Sequence, residues 1–136
     1  MPEPVTGGCL CGAVRFAYEG EVGTASYCHC SDCRRTTGGP FAVSVRLEAA
    51  RLTVTGKTAS YAKTSDAGAA ITRHFCPACG SPLLTHTPGG ATAFVKAGAF
   101  DDPALVRPAV EIWTDSEVPW ARVPDGLERH PRDRSG

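Results

Sequence analysis

Seven cysteines in 136 residues constrain this chain more than any other feature, because they fall in tight sets: Cys9-Leu10-Cys11, Cys28-His29-Cys30 with Cys33, and Cys76-Pro77-Ala78-Cys79. Such C-x-C and C-x-x-C units bring sulfurs near enough to share an ion, a spacing that ordinary buried cysteines do not favour. An odd count cannot form a fully paired disulfide framework. The N-terminus also lacks a basic start followed by an apolar run, so the thiols are expected reduced, in a soluble cytoplasmic protein. No segment approaches the roughly 20 apolar residues that cross a bilayer, and no membrane partner is expected.

The run Cys76 to Gly80 reads as a zinc knuckle. Two cysteines two residues apart wrap a turn about one ion, and the glycine after them permits a positive φ. A knuckle supplies only two ligands. Cys9 and Cys11 suit the other two places, since residues i and i+2 of an extended strand face one side. Cys9, Cys11, Cys76 and Cys79 are therefore expected to form a closed structural Cys₄ zinc site, closing a loop of about 65 residues.

Cys28, Cys30 and Cys33 remain. Three protein ligands with an open fourth position is the pattern of a catalytic zinc, whereas structural zinc is four-coordinate through protein atoms. A histidine could instead complete the tetrahedron. His29 lies between two ligands on an extended stretch and should point away from their metal, while His74 and His86 stay open as a fourth ligand. Two zinc ions per chain are expected, the second exchangeable.

The rest of the chain reads as mostly β. About eight segments alternate apolar and polar residues between turn signals: "AVRFAYEG", "FAVSVRL", "RLTVT", "ASYAKT", "AITRHF", "PLLTHT", "ATAFVKAG" and "AVEIWT". They predict an antiparallel sheet architecture. Helix signals are short, one capped by Ser31 and closed by Gly38, another in "DDPALV" with Asp101 or Asp102 as cap and Pro103 at the first helical position. The length suits one domain, taken as residues 1–127, and the Pro- and charge-rich residues 128–136 are expected to hang loosely. Fourteen basic residues balance fourteen acidic ones without a basic block, so nucleic acid is not an expected partner.

The segments "GGCLCGAVRF", "YCHCSDCRRTTGGPF", "FCPACGSPL", "GAFDDPALVRP" and "IWTDSEVPW", in this order, resemble the glutathione-dependent formaldehyde-activating enzyme family, also named for centromere protein V. The resemblance implies a Mss4-like β fold (a β-tent). It also implies two zinc sites, with Cys9, Cys11, Cys76 and Cys79 structural and Cys28, Cys30 and Cys33 catalytic. The activity implied is carbon–sulfur lyase or synthase chemistry, joining glutathione to formaldehyde as S-hydroxymethylglutathione. One departure stands out: many members carry a histidine two places before the Trp of the "IW" motif, where this chain has Glu111.

A soft three-thiolate site suits a soft ligand, so the thiol is expected to take the open position as thiolate and add to the aldehyde carbon. Arg34 and Arg35 directly follow the ligands and could pair with the carboxylates of glutathione, or simply be solvated charges. The alternative function is a non-catalytic zinc module that mediates a protein interaction; a third is a lyase acting on another thiol adduct.

Overall fold

The computed structural model describes residues 3–133. Two sheets enclose one core. The small sheet holds β1 (Val5–Gly8), β2 (Arg15–Tyr18) and β5 (Leu52–Thr55), all antiparallel, with β2 in the middle. The large sheet holds β3 (Ala25–Cys28), β4 (Ala42–Glu48), β6 (Ala59–Thr64), β7 (Ala70–Phe75), β8 (Pro82–His86), β9 (Thr92–Lys96), β10 (Pro108–Ile112) and β11 (Glu128–Arg129). Its strand order is β11-β10-β3-β4-β9-β8-β7-β6. One α-helix, α1 (Ser31–Thr37), lies between β3 and β4, and short 3-10 turns fill several connections.

All eight segments expected from alternation contain strands, and three more, β1, β3 and β11, join them. The architecture is mostly antiparallel, but β10 runs parallel to both β3 and β11. Those two pairings place the C-terminal segment beside the strand that carries Cys28.

Inward residues follow the strand period of two. Phe16 and Tyr18 from the small sheet meet Ala25, Val45, Leu47 and Val95 from the large one in a single buried cluster. Phe100 joins it edge-on to Phe16 at 5.3 Å between ring centroids. Ala42 is buried on the opposite face of β4, where α1 packs. Asp102 caps the 3-10 turn Pro103–Leu105 by accepting from the Ala104 N–H at 3.1 Å, with proline at the start as its sequence signals.

The expected loose tail is a correction. Residues 128–132 lie along β10, with the His130 N–H donating to the Glu111 carbonyl at 2.9 Å and the Trp113 N–H to the Arg132 carbonyl at 3.0 Å. Main-chain bonds, joined by the Arg129 guanidinium on Glu111 and Glu117, make this attachment, so a composition without large apolar residues gives no sign of it. Residues 134–136 lie outside the described residues. Trp113 turns the chain out of β10 with φ 58°, a left-handed conformation that a bulky residue adopts only when its surroundings enforce it. Among the described residues no helix is long and apolar enough to cross a membrane.

Candidate metal centres

The first thiol group joins the two sheets. Cys9 and Cys11 lie in the turn that follows β1, closed by the Gly12 N–H to the Cys9 carbonyl at 3.2 Å. Cys76 and Cys79 lie in the turn between β7 and β8, closed by the Gly80 N–H to the Cys76 carbonyl at 2.8 Å. Gly80 has φ +78° and so uses the freedom its sequence position suggests. Cys9 and Cys11 are not on an extended strand as the sequence reading has it. They form a second tight turn, because the chain must reverse there to pair β1 with β2.

The sulfurs of Cys9, Cys11, Cys76 and Cys79 lie within 4.8 Å of one another. Cys11 Sγ stands 3.7 Å from both Cys9 Sγ and Cys76 Sγ. A tetrahedral zinc–thiolate centre with bonds of about 2.3 Å has a sulfur–sulfur edge of about 3.8 Å, so spacing and donor chemistry both fit. Neighbouring donors favour the thiolate form at two of the four, Cys79 and Cys9. The Ser81 hydroxyl, 3.2 Å from Cys79 Sγ, is the main cause that holds the Cys79 thiol down at about 5. The Val14 N–H, 3.3 Å from Cys9 Sγ, lowers that thiol too.

The second group is local. Cys28 ends β3, Cys30 caps α1, and Cys33 lies in its first turn. The sequence points to Ser31 as cap; the structure instead uses the Cys30 sulfur, which accepts the Cys33 N–H at 3.2 Å. Gly38, at φ 75° and with its N–H on the Arg34 carbonyl, closes the helix as expected. The three sulfurs lie within 4.8 Å of one another and are half-buried. Hydrogen bonds from Cys28 and then Cys33 push the Cys30 thiol down to about 2, whereas those same contacts and burial push Cys28 up. Three sulfurs so close that each shifts the others' titration are a set whose protons a cation can displace.

No histidine completes this set. His29 is turned to the other face of β3, with Nε2 2.9 Å from Glu111 Oε1 and its ring edge-on to Phe41 at 5.6 Å. His86 Nδ1 is 3.1 Å from His74 Nε2, so the two histidines left open as ligands by the sequence engage each other. Among the described residues the group therefore has three thiols and no fourth sulfur or imidazole.

Arg34 is half-buried, and its Nε is enclosed without a hydrogen-bond acceptor; Arg35 is exposed. Asp32 latches α1 to the β6–β7 hairpin through Lys63 at 2.6 Å and Arg73 at 4.0 Å. Lys96 is a residue the sequence does not single out. After the larger effects of Cys28, which lowers the Cys33 thiol, and of Cys30 and burial, which raise it, the Lys96 charge lowers it by a lesser amount, yet the two meet only through the pairing of β9 with β4.

A third cluster, His29, Glu111 and Glu117, also has donor atoms within 4.8 Å. The Arg129 guanidinium already occupies it, donating to Glu111 Oε2 at 3.3 Å and Glu117 Oε1 at 2.8 Å. A cation is thus supplied by the chain itself, and a metal does not fit.

Residues 4–116 match the family described as glutathione-dependent formaldehyde-activating enzyme. A solved structure of a Rhodobacter sphaeroides protein is similar with a TM-score of 0.57 and 22% sequence identity, covering 71% of this chain and 87% of that one, which is a likeness of fold. No curated protein matches the chain. Both thiol groups fall inside the matched residues, and the chain belongs to the glutathione-dependent formaldehyde-activating enzyme family.

Proposed function

We propose that the protein is a zinc-dependent carbon–sulfur lyase or synthase that joins a thiol, glutathione, to formaldehyde or a related aldehyde. The observation that carries this reading is the incomplete set: Cys28, Cys30 and Cys33 converge with no fourth protein ligand among the described residues, in a chain of this family. Zinc is the cofactor assigned to both groups, held structurally by Cys9, Cys11, Cys76 and Cys79 and exchangeably by Cys28, Cys30 and Cys33. Where three thiolates hold it, zinc would supply the charge that lets an incoming thiol lose its proton near neutral pH.

The chain's own part is positional. Cys28, Cys30 and Cys33 arrive from a strand end, a cap and a first helical turn, and Asp32 fixes that helix to the β6–β7 hairpin. Holding two reactants together replaces a bimolecular encounter by an effectively intramolecular one. The reaction is a simple addition: the sulfur–carbon bond forms, the carbonyl π pair moves to oxygen, and the proton lost by the thiol ends on that oxygen. No electron acceptor is needed. Seven free cysteines are stable in a reducing compartment, and we assign the protein to the cytoplasm on that ground.

The test is steady-state formation of S-hydroxymethylglutathione by zinc-replete protein against the uncatalysed background. A rate above background that is lost in Cys30→Ser supports the assignment, and a background rate in the native protein rejects it.

A further inference from the structure

The face of the large sheet beside the three-thiol group carries more positive charge than its own carboxylates neutralise. Directly paired residues of an antiparallel sheet share a face, as do residues i and i+2 of one strand. Lys96 pairs with Ser44, Ser44 with Ser26, and Ser26 precedes Cys28 by two. Lys96 and Cys28 therefore project from the same face, the one on which α1 sets Cys33.

Of the cations about this region, Lys63, Arg73, Lys96 and Arg34 divide into two kinds. Lys63 and Arg73 are taken up by Asp32. Lys96 and Arg34 are both half-buried, and among the described residues neither has a carboxylate partner. The enclosed Arg34 Nε lacks any acceptor, an arrangement that costs free energy unless something else brings an oxygen. A divalent ion on three thiolates has a net charge of about −1; Lys96 with Arg34, and the one cation that Asp32 leaves over, bring the locality to about +2. An anionic group is drawn to it.

We propose that Lys96 and Arg34 form a carboxylate-binding pair beside Cys28, Cys30 and Cys33, and that the site selects thiols bearing a carboxylate over neutral thiols of the same size. This rests on the reading of the three-thiol group as open to a thiol. Glutathione belongs to the class, as do small mercaptocarboxylates. Arg34 supplies the geometry, since a guanidinium N–H accepts only an oxygen placed in its plane, and Lys96 supplies charge without fixed direction. Arg35, exposed and solvated, takes no part.

The experiment uses the full chain loaded with cobalt(II), whose absorption reports a new sulfur ligand, titrated with 3-mercaptopropionate and separately with its methyl ester. Thermal unfolding of each variant checks that it is folded. The acid is expected to bind about tenfold more tightly than the ester, the effect of one charge-assisted contact. That ratio should fall to about one in Lys96→Gln and in Arg34→Gln, and recover in Lys96→Arg; a residue with only a structural role would not move it. Equal binding of acid and ester by the native protein, or a ratio that both Gln variants preserve, overturns the proposal while leaving the thiol-binding function intact. Failure of either thiol to change the spectrum overturns both.

Discussion

Glu111 is 1% exposed and lies between the His29 imidazole and the Arg129 guanidinium, which donates to it. A buried carboxylate survives only when paired, and removing one partner strands the others. Glu111→Ala is therefore expected to cost about 3–5 kcal/mol in urea unfolding, because both His29 and Glu111 have side chains only 2% exposed. Arg129→Ala should cost about 1 kcal/mol or less, since water can reach a guanidinium that is 51% exposed. Asp101 shows the opposite, solvent-side case. The Arg15 guanidinium first and the Thr6 hydroxyl second, the latter at 2.7 Å, hold its carboxyl below the ordinary 3.8. A depressed carboxyl contributes stability that is complete above its unfolded value and lost as pH falls through the folded one. Asp101→Asn should thus be less stable than the native protein at neutral pH, and the difference should shrink below about pH 4 in melts across pH. Of these side chains, only the substitution at Glu111 is visible in the sequence; its partners come from strand pairing and from a tail with no apolar signal.

Elements divide by what holds them. The eight segments read by alternation bury side chains on one face, and periodicity reports that burial. The three that escape alternation lack it for separate reasons. β1 is VTGG, half glycine; β3 is ASYC, with no large aliphatic residue and a thiol at its end; β11 is two exposed residues held by main-chain bonds and by the Arg129 side chain. The local thiol set Cys28, Cys30 and Cys33 is legible because all three lie within one strand end and one helical turn. The place of Lys96 is not, since nothing in the sequence fixes the β4–β9 register. The docked tail gives a direct prediction. Truncation after Leu127 removes the β10–β11 pairing and the bonds that His130, Pro131 and Arg132 make to residues 111–115. At about 1 kcal/mol net per backbone bond, a loss of roughly 2–4 kcal/mol is expected by chemical denaturation. A loosely hanging tail would give no change.

For the molecule as a whole, the four-cysteine group links the β1–β2 hairpin of the small sheet to the β7–β8 hairpin of the large one. Structural metal in such a set contributes on the order of 10 kcal/mol, comparable to the entire net stability of a domain this size. Cys76→Ser, or metal removal by a strong chelator, is therefore expected to abolish cooperative unfolding near the native melting temperature. Cys30→Ser should lower that temperature far less, because α1 and its latch to Lys63 do not bridge the sheets. Calorimetry of the two variants side by side checks the division of roles.

Cys11 and Cys76 stand 65 positions apart in the chain while their sulfurs are 3.7 Å apart. Cys28, Cys30 and Cys33, by contrast, are complete within six residues of synthesis. On a ribosome adding about 5–20 residues per second, the middle trio exists for several seconds before Cys79 is made. Until Cys76 emerges, Cys9 and Cys11 are the only other thiols on the nascent chain, and a metal bound early by the trio would find its fourth ligand among them. Any such early ligation would have to be undone by exchange once the last two cysteines emerge.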